Sequence, residues 1–424
     1  MLRLDVTGTL AKAITPTHGL TDKDLLELSA SGKKHVEQFL REREIGDHAW
    51  SMDPYNKHVA ARCQEIAVRV KKEGIQTVVW IGIGGSGLGP RVLQEVLEGP
   101  KTIEFLVLDT IDPHALSLYL PILDWNKTLV VVTSKSGNTL ESMSAFFLLW
   151  EHLKKARKGK AAQRVVAITD PKKGPLRAFC TEHGIETLPI PKDVGGRYSI
   201  FTPVGLLPMA LLGGNVEEFL RGAKDMDTAC QSTILEENPA ALLAATQFFL
   251  ETRKGIIVRV IMSYSHRLQS IGRWNQQLIA ESLGKNETHN PFPVAAVGTQ
   301  DQHSLLQQWM EGPRKAWHLF IREIDKPSLK VPEKLPSPFD VFAGKEFGHL
   351  LDACYLGTSG ALTKTKRPHA TIELPRLDEY HLGQLFFCLL AEVVLLGKFY
   401  RIDPYGQPGV EIGKTITKEI LENE

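Results

Sequence analysis

Residues 82–90, GIGGSGLGP, end the apolar run 77–83 and lead into the helical pattern of residues 91–97. A strand that turns through glycines into a helix is committed to a βα unit, because glycine tolerates the turn and the helix start leaves backbone N–H groups unpaired. Those groups and the positive end of the helix dipole face into the turn, where they favour an anion such as phosphate. Gly82, Gly84 and Gly87 also spell G-x-G-x-x-G, and Asp109 closes the next apolar run at about the 20-residue distance of a dinucleotide fingerprint. Ser86 speaks for the phosphate reading, since a hydroxyl in mid-turn suits a small phosphate or a sugar oxygen. A third reading needs no ligand: the glycines only permit a tight turn.

The same alternation recurs down the chain. β-Branched runs at 77–83, 103–109, 128–133, 164–169 and 185–190 alternate with helical stretches such as 139–153. This predicts right-handed βαβ units and a parallel sheet covered on both faces. A second set of runs, GIIVRVIMS from Gly255, then 294–297, 316–321 and 370–374, predicts a second α/β unit, with the boundary around residues 214–239. Residues 1–75 read as helical, with periodic apolar positions in 23–39 and 59–70. Residues 326–338, rich in Pro and Lys, read as a long surface loop.

Composition narrows the function. A chain of 424 residues, 43% hydrophobic, can bury cores for two or three domains. A net charge of +1 gives no overall reason to expect nucleic acid or an anionic membrane as partner. The basic run from Lys154 to Lys160 reads as a solvated helix end. Five cysteines without a C-x-x-C point away from a disulfide framework or a cysteine metal site and towards a reduced cytoplasm. The N-terminus lacks the apolar core of a secretory signal. The most apolar segment, 385–396, carries Glu392 and is too short to span a bilayer, which predicts a buried helix.

Five further clusters carry chemistry. TSKSGNTLES (133–142) follows a strand and opens a helix, so Ser134, Ser136 and Thr139 can converge with backbone N–H groups on phosphate oxygens, although any one of them could equally cap the helix. GGRYS (195–199) carries Arg197, a permanent cation able to stabilise an oxyanion or to form an ordinary salt bridge. QQLIAESLGK (276–285) puts Gln277 and Glu281 one helical turn apart near an end marked by Gly284, where a sheltered carboxylate can take a proton from carbon. GQPGVEIGK supplies Gln407, Glu411 and Lys414, and GTQDQHS supplies His303, a residue suited to proton transfer near neutral pH.

GIGGSGLGP, SKSGNTLES, DVGGRYS, WNQQLIAESLGK, the QHS triplet and GQPGVEIGK follow one another in an order that resembles the glucose-6-phosphate isomerase (phosphoglucose isomerase) family, over residues 78–414. The resemblance, closest to the compact bacterial type, implies an α/β fold of two sugar-isomerase domains, each a parallel sheet flanked by helices. These would be residues 76–225 and 226–424, with an N-terminal helical segment, 1–75, packed on the second. It implies reversible isomerisation of D-glucose 6-phosphate and D-fructose 6-phosphate through a cis-enediol, without metal or organic cofactor, by a cytoplasmic homodimer. Glu281 then matches the base, Arg197 the stabiliser of the enediolate, and His303 and Lys414 the pair assisting ring opening, with His303 reaching across the dimer. Ser134, Lys135 (through its backbone), Ser136 and Thr139 match the phosphate site, Gly85 and Ser86 the sugar side, and Glu141, Gln277 and Gln407 positioning residues. Gly406 departs from the family, which usually has Asp there, and the spacing between Glu392 and Gly397 is shortened.

Two rivals belong to other classes. An NAD-dependent oxidoreductase would use the glycine fingerprint and Asp109 but leaves the second hydroxyl-rich turn and the C-terminal signature unexplained. A non-catalytic sugar-phosphate sensor would need the phosphate loops alone, and has no use for Glu281, Arg197, His303 and Lys414.

Overall fold

The computed structural model describes residues 1–99, 103–289 and 291–423. Among them the strands are β1 (Arg3–Asp5), β2 (Thr77–Ile81), β3 (Glu104–Leu108), β4 (Thr128–Thr133), β5 (Val165–Thr169), β6 (Glu186–Pro189), β7 (Val258–Tyr264), β8 (Phe292–Val297), β9 (Ala316–Glu323) and β10 (His369–Leu374). They form two five-stranded sheets, ordered β3-β2-β4-β5-β6 and β1-β10-β9-β7-β8. Strands β2, β4 and β5 are buried along their whole length, so they read as continuous apolar runs rather than alternating ones.

Strands β2 to β10 lie within or overlap the predicted runs and pair in parallel. β1 corrects the reading of residues 1–75 as helical: Arg3, Leu4 and Asp5 pair antiparallel with Glu373, Ile372 and Thr371, making the edge of the second sheet. Three residues are too short to show a period, and what holds them is tertiary. The backbone N–H of Leu2 donates to buried Gln384 at 2.8 Å. The rest of the segment is largely helical, with helices at Asp22–Glu44 and Lys57–Lys72. The first of these begins at a capping box, Thr21 accepting the Asp24 backbone N–H at 3.2 Å and Asp24 that of Thr21 at 2.8 Å.

Residues 225 and 226, on either side of the expected division, both lie inside the helix Val216–Cys230. That helix packs backbone to backbone on the helix Glu379–Tyr400: a Cβ on Gly222 would stand 1.8 Å from the Tyr380 carbonyl oxygen, and one on Gly383 2.0 Å from that of Phe219. The helix Glu379–Tyr400 is long and apolar enough to cross a membrane, yet 94% of its most apolar window is buried inside the protein. Its Glu392 is buried in a two-point pair with Arg259 of β7, the partner that a carboxylate needs away from water.

In the first sheet the chain runs from β2 outwards to β3, then back past β2 to β4, β5 and β6. Such a reversal opens a crevice at the carboxyl ends of the two strands where it occurs, here β2 and β4. The helix Ile271–Leu283, which follows β7 of the second sheet, is pinned beside it. Ser270, at its start, donates both its backbone N–H (2.9 Å) and its hydroxyl (2.5 Å) to Glu95 of the helix Gly85–Leu97. Glu95 thus occupies the helix N-terminus, where a negative charge is favoured.

Candidate active site

A cleft of about 1000 Å³ lies over the carboxyl ends of β2, β4, β5 and β6. Its first wall is the glycine turn. Gly84 has φ 57°, a left-handed conformation suited to glycine. The indole N–H of Trp80 donates to the Ser86 carbonyl at 2.8 Å, tying the turn to β2. The other glycines are required by close approach. A Cβ on Gly87 would stand 2.3 Å from the Gly82 oxygen, and one on Gly85 2.3 Å from the carbonyl carbon of Gly196, so the turn touches the loop that carries Arg197. Asp109 does not line the cleft; its carboxylate accepts from Arg91 at 2.9 Å.

The second wall is the hydroxyl-rich turn after β4. Thr139 is the N-cap of the helix Leu140–Arg157 but makes no capping bond with its side chain. Its hydroxyl instead lies 2.9 Å from that of Ser134, which accepts the Gly137 N–H at 3.1 Å. Ser134, Ser136 and Thr139 all line the cleft, as do Gly85 and Ser86. The Lys135 ammonium turns away from the hydroxyls and donates to the carbonyls of Lys192 (2.6 Å) and Val194 (2.9 Å), bracing the segment before Arg197. Burial lowers its pKa from the usual lysine range, with Asp193 and Asp170 opposing. Glu141, in the first helical turn, is half-buried and outside the cleft lining.

Arg197 and Glu281 meet in the third wall. The Arg197 side chain is 4% exposed and every one of its nitrogens is engaged. Nε donates to Ser282 at 2.7 Å, Nη1 to Gln407 at 2.9 Å and to Glu281 at 3.2 Å, and Nη2 to the carbonyls of Pro404 and Gly406 at 2.7 and 2.9 Å. Gly406 has φ 67°, a conformation in which Asp would be strained, so the departure at this position suits the backbone that receives Arg197. The other Glu281 oxygen accepts from Gln277 Nε2 at 2.9 Å, one turn back on the same helix. Gln277 Oε1 is buried without a hydrogen-bond partner. The Glu281 side chain remains 31% exposed, reachable from the cleft while both its oxygens are held.

Gln407 and Lys414 also line the cleft, Lys414 with its ammonium 2.7 Å from Glu411 on the same exposed helix, Glu411–Glu422. His303 is exposed and does not line the cleft of its own chain. Other residues of the site lie inside or beside these stretches with no chemical pattern of their own. Tyr198, whose hydroxyl lies 3.0 Å from that of Ser282, is buried, and this pushes its pKa to about 12. Ser282 orients Arg197 from the buried side of the Glu281 helix, where no spacing betrays it. Asp170, Lys173 and Lys192 lie in turns after β5 and β6, and the strand-then-turn pattern used for the first two walls points to them as well.

The profile of the phosphoglucose isomerase family matches residues 54–334. The glucose-6-phosphate isomerase of Carboxydothermus hydrogenoformans is 35% identical over 91% of this chain and 87% of its own length. That of Rubrobacter xylanophilus is 35% identical over 97% of each. Among solved structures, a Thermus thermophilus protein described as hypothetical superposes with a TM-score of 0.87 at 30% identity, covering 99% of this chain and 100% of its own. A glucose-6-phosphate isomerase from Chlamydia trachomatis shares the fold, with a TM-score of 0.78 at 24% identity over 92% of this chain and 78% of its own.

Proposed function

Since this chain belongs to the phosphoglucose isomerase family, we propose that it interconverts D-glucose 6-phosphate and D-fructose 6-phosphate through a cis-enediol. The observation that carries the reading is Glu281, accessible from a cleft it shares with a cluster of hydroxyls and held on one oxygen by Gln277 and on the other by Arg197.

The chemistry follows from that placement. Ser134, Ser136 and Thr139, with the backbone N–H groups of their turn, hold the phosphate, the part of the substrate that does not react. Glu281 takes the proton from C2 of the open-chain aldose. The C–H electron pair becomes the C1=C2 bond, and the carbonyl pair moves onto O1, where Arg197 stabilises the negative charge. The O2 proton passes to O1, completing the cis-enediol exchange, and return of the carbon-bound proton from Glu281 to C1 as the O2 electron pair forms the C2 carbonyl gives the ketose. Gln277 Oε1 accepts from a sugar hydroxyl, and Gln407, bonded to Arg197, keeps the guanidinium aimed. Gly85 and Ser86 line the sugar side.

Ring opening falls to Lys414 and to His303 from a second copy of the chain. Two features support this homodimer: His303 is exposed away from its own cleft, and Ile412, Ile416 and Ile420 lie one turn apart and exposed on the C-terminal helix. The five cysteines are all free thiols, which fits a reducing cytoplasm and a place in glycolysis or gluconeogenesis.

The test is a coupled assay of fructose 6-phosphate conversion with wild type and Glu281→Gln. The variant keeps shape and hydrogen bonding but has no base, so turnover should fall at least about 100-fold with substrate binding largely kept. Near-normal turnover would remove Glu281 from the chemistry.

A further inference from the structure

Behind the Arg197 cradle lies a second cavity, of about 820 Å³, between the helix Asp22–Glu44 and the chain leaving the helix Glu379–Tyr400. Lys34, His35, His48, Lys398, Arg401 and Tyr405 are among its lining residues. Of its three carboxylates, Glu42 accepts from Lys398 and lies 2.8 Å from His48 Nε2, Asp403 accepts the Tyr405 backbone N–H at 3.0 Å, and Asp47, next to His48 in sequence, is exposed without a side-chain partner among the described residues. Lys34 and Arg401 are exposed and have no side-chain partner among the described residues.

The charges are sorted by position. The His35 ring packs edge-on against Phe399, centroids 4.5 Å apart, and its Nδ1 is buried without a partner. Burial, then Lys34, Lys398 and Arg401, all disfavour a proton on this ring, and no carboxylate offsets them. At His48 burial is again the largest influence and Lys398 acts with it, while Glu42 and Asp47 oppose them. Lys34 adjoins His35 in sequence and Arg401 follows its ring partner Phe399 by two residues, so the two unpaired cations lie at the His35 end, which also holds an unfilled hydrogen-bonding atom.

The cavity also shares a wall with the cleft, since Tyr405 lines both. Its hydroxyl accepts from the Trp50 indole at 2.9 Å and lies 2.6 Å from His48 Nδ1. Its neighbours Pro404 and Gly406 supply the carbonyls that hold Arg197. We propose that this cavity is a second ligand site, taking a phosphate dianion, free or esterified, at its His35 end, and that residues 401–407 carry its occupancy to Arg197. Two unpaired cations and a neutral imidazole suit a doubly charged, many-oxygened anion, and a shift of the 404–406 backbone would move the guanidinium that serves the reaction.

The test has a binding arm, which does not depend on the reaction, and a kinetic arm, which rests on the isomerase reading. Inorganic phosphate and glycerol 3-phosphate are titrated calorimetrically into the full chain as wild type, Lys34→Gln, Arg401→Gln and Thr139→Ala. The expected result is a binding event weakened at least about tenfold by each of the first two substitutions and kept in Thr139→Ala. Whichever anion shows this dependence identifies the source. In steady state that anion should change kcat in wild type and leave kcat untouched in Arg401→Gln. Equal affinity in wild type, Lys34→Gln and Arg401→Gln would overturn the site. An anion effect on KM alone would overturn the link to Arg197.

Discussion

Thr139 occupies a position where capping would be its ordinary role, and its hydroxyl does something else. That difference is measurable. Thr139→Ala should weaken binding of a 6-phosphogluconate-type inhibitor by about 0.5 to 3 kcal/mol, the range from a neutral to a charge-assisted hydrogen bond. Helix stability should hardly change, because no cap is lost. Unchanged inhibitor affinity in Ser134→Ala, Ser136→Ala and Thr139→Ala alike would return these hydroxyls to a structural role. Gly85 is a sharper case. Its missing Cβ leaves room for the carbonyl carbon of Gly196 at 2.3 Å and the Arg197 nitrogen at 2.5 Å, both backbone atoms that cannot swing aside. Gly85→Ala should force the first and third walls apart and lower turnover at least about tenfold, since misplacing a catalytic group by about 1 Å can cost 100-fold. Gly360→Ala, on an exposed helix face with nothing within 4 Å of the added Cβ, is the control. Equal activity in the two variants would show that the contact is not needed.

At the scale of elements, the helix Ile271–Leu283 is the piece on which the site depends. Its sequence marks its own end at Gly284 and the i, i+4 spacing of Gln277 and Glu281, but its docking through Ser270 and Glu95 joins residues far apart in the chain. The second sheet holds a group whose burial gives a pH dependence. His318, on β9, is buried beside Trp309 and Phe320, both its nitrogens lack partners, and burial brings its pKa down to about 3. The unfolded chain takes up this proton near the ordinary 6.5, whereas the folded chain waits until about 3. Stability is therefore full above pH 6.5 and declines as pH falls towards 3, by at most about 1.4 kcal/mol per pH unit for the single group. His318→Leu removes the proton uptake, so the stability lost between pH 8 and pH 5 should shrink by about 2 kcal/mol. Urea unfolding at the two pH values checks it, and an unchanged loss would mean that other groups set the acid limit. His369 on β10, brought to about 4 by burial, retains its own contribution.

For the whole molecule, the proposed dimer has a direct consequence. Chains bearing Glu281→Gln and His303→Ala should each be poorly active as pure dimers. In a mixed dimer one site receives Glu281 from one chain and His303 from the other, so up to about half of one dimer's activity should return. Co-expression with two affinity tags isolates the mixed species, and its failure to regain activity would place His303 in its own chain's chemistry or outside the reaction. What the sequence determined by itself is local. Continuous apolar runs specify buried parallel strands, glycine and hydroxyl turns specify helix starts able to meet an anion, and the spacing from Gln277 to Glu281 specifies one helical face. Those patterns are set by backbone sterics and side-chain period, which act over a few residues. Tertiary structure alone decided that β1 joins the far edge of the second sheet, that Arg197 is received by Ser282, Gln407 and two carbonyls, and that Glu141 and His303 lie outside the cleft. The first two depend on atoms far apart in the chain meeting at hydrogen-bond distance, 85 positions for Arg197 and Ser282 and 210 for Arg197 and Gln407, and all are selected by packing and by the need to satisfy buried polar groups, neither of which has a period in the chain.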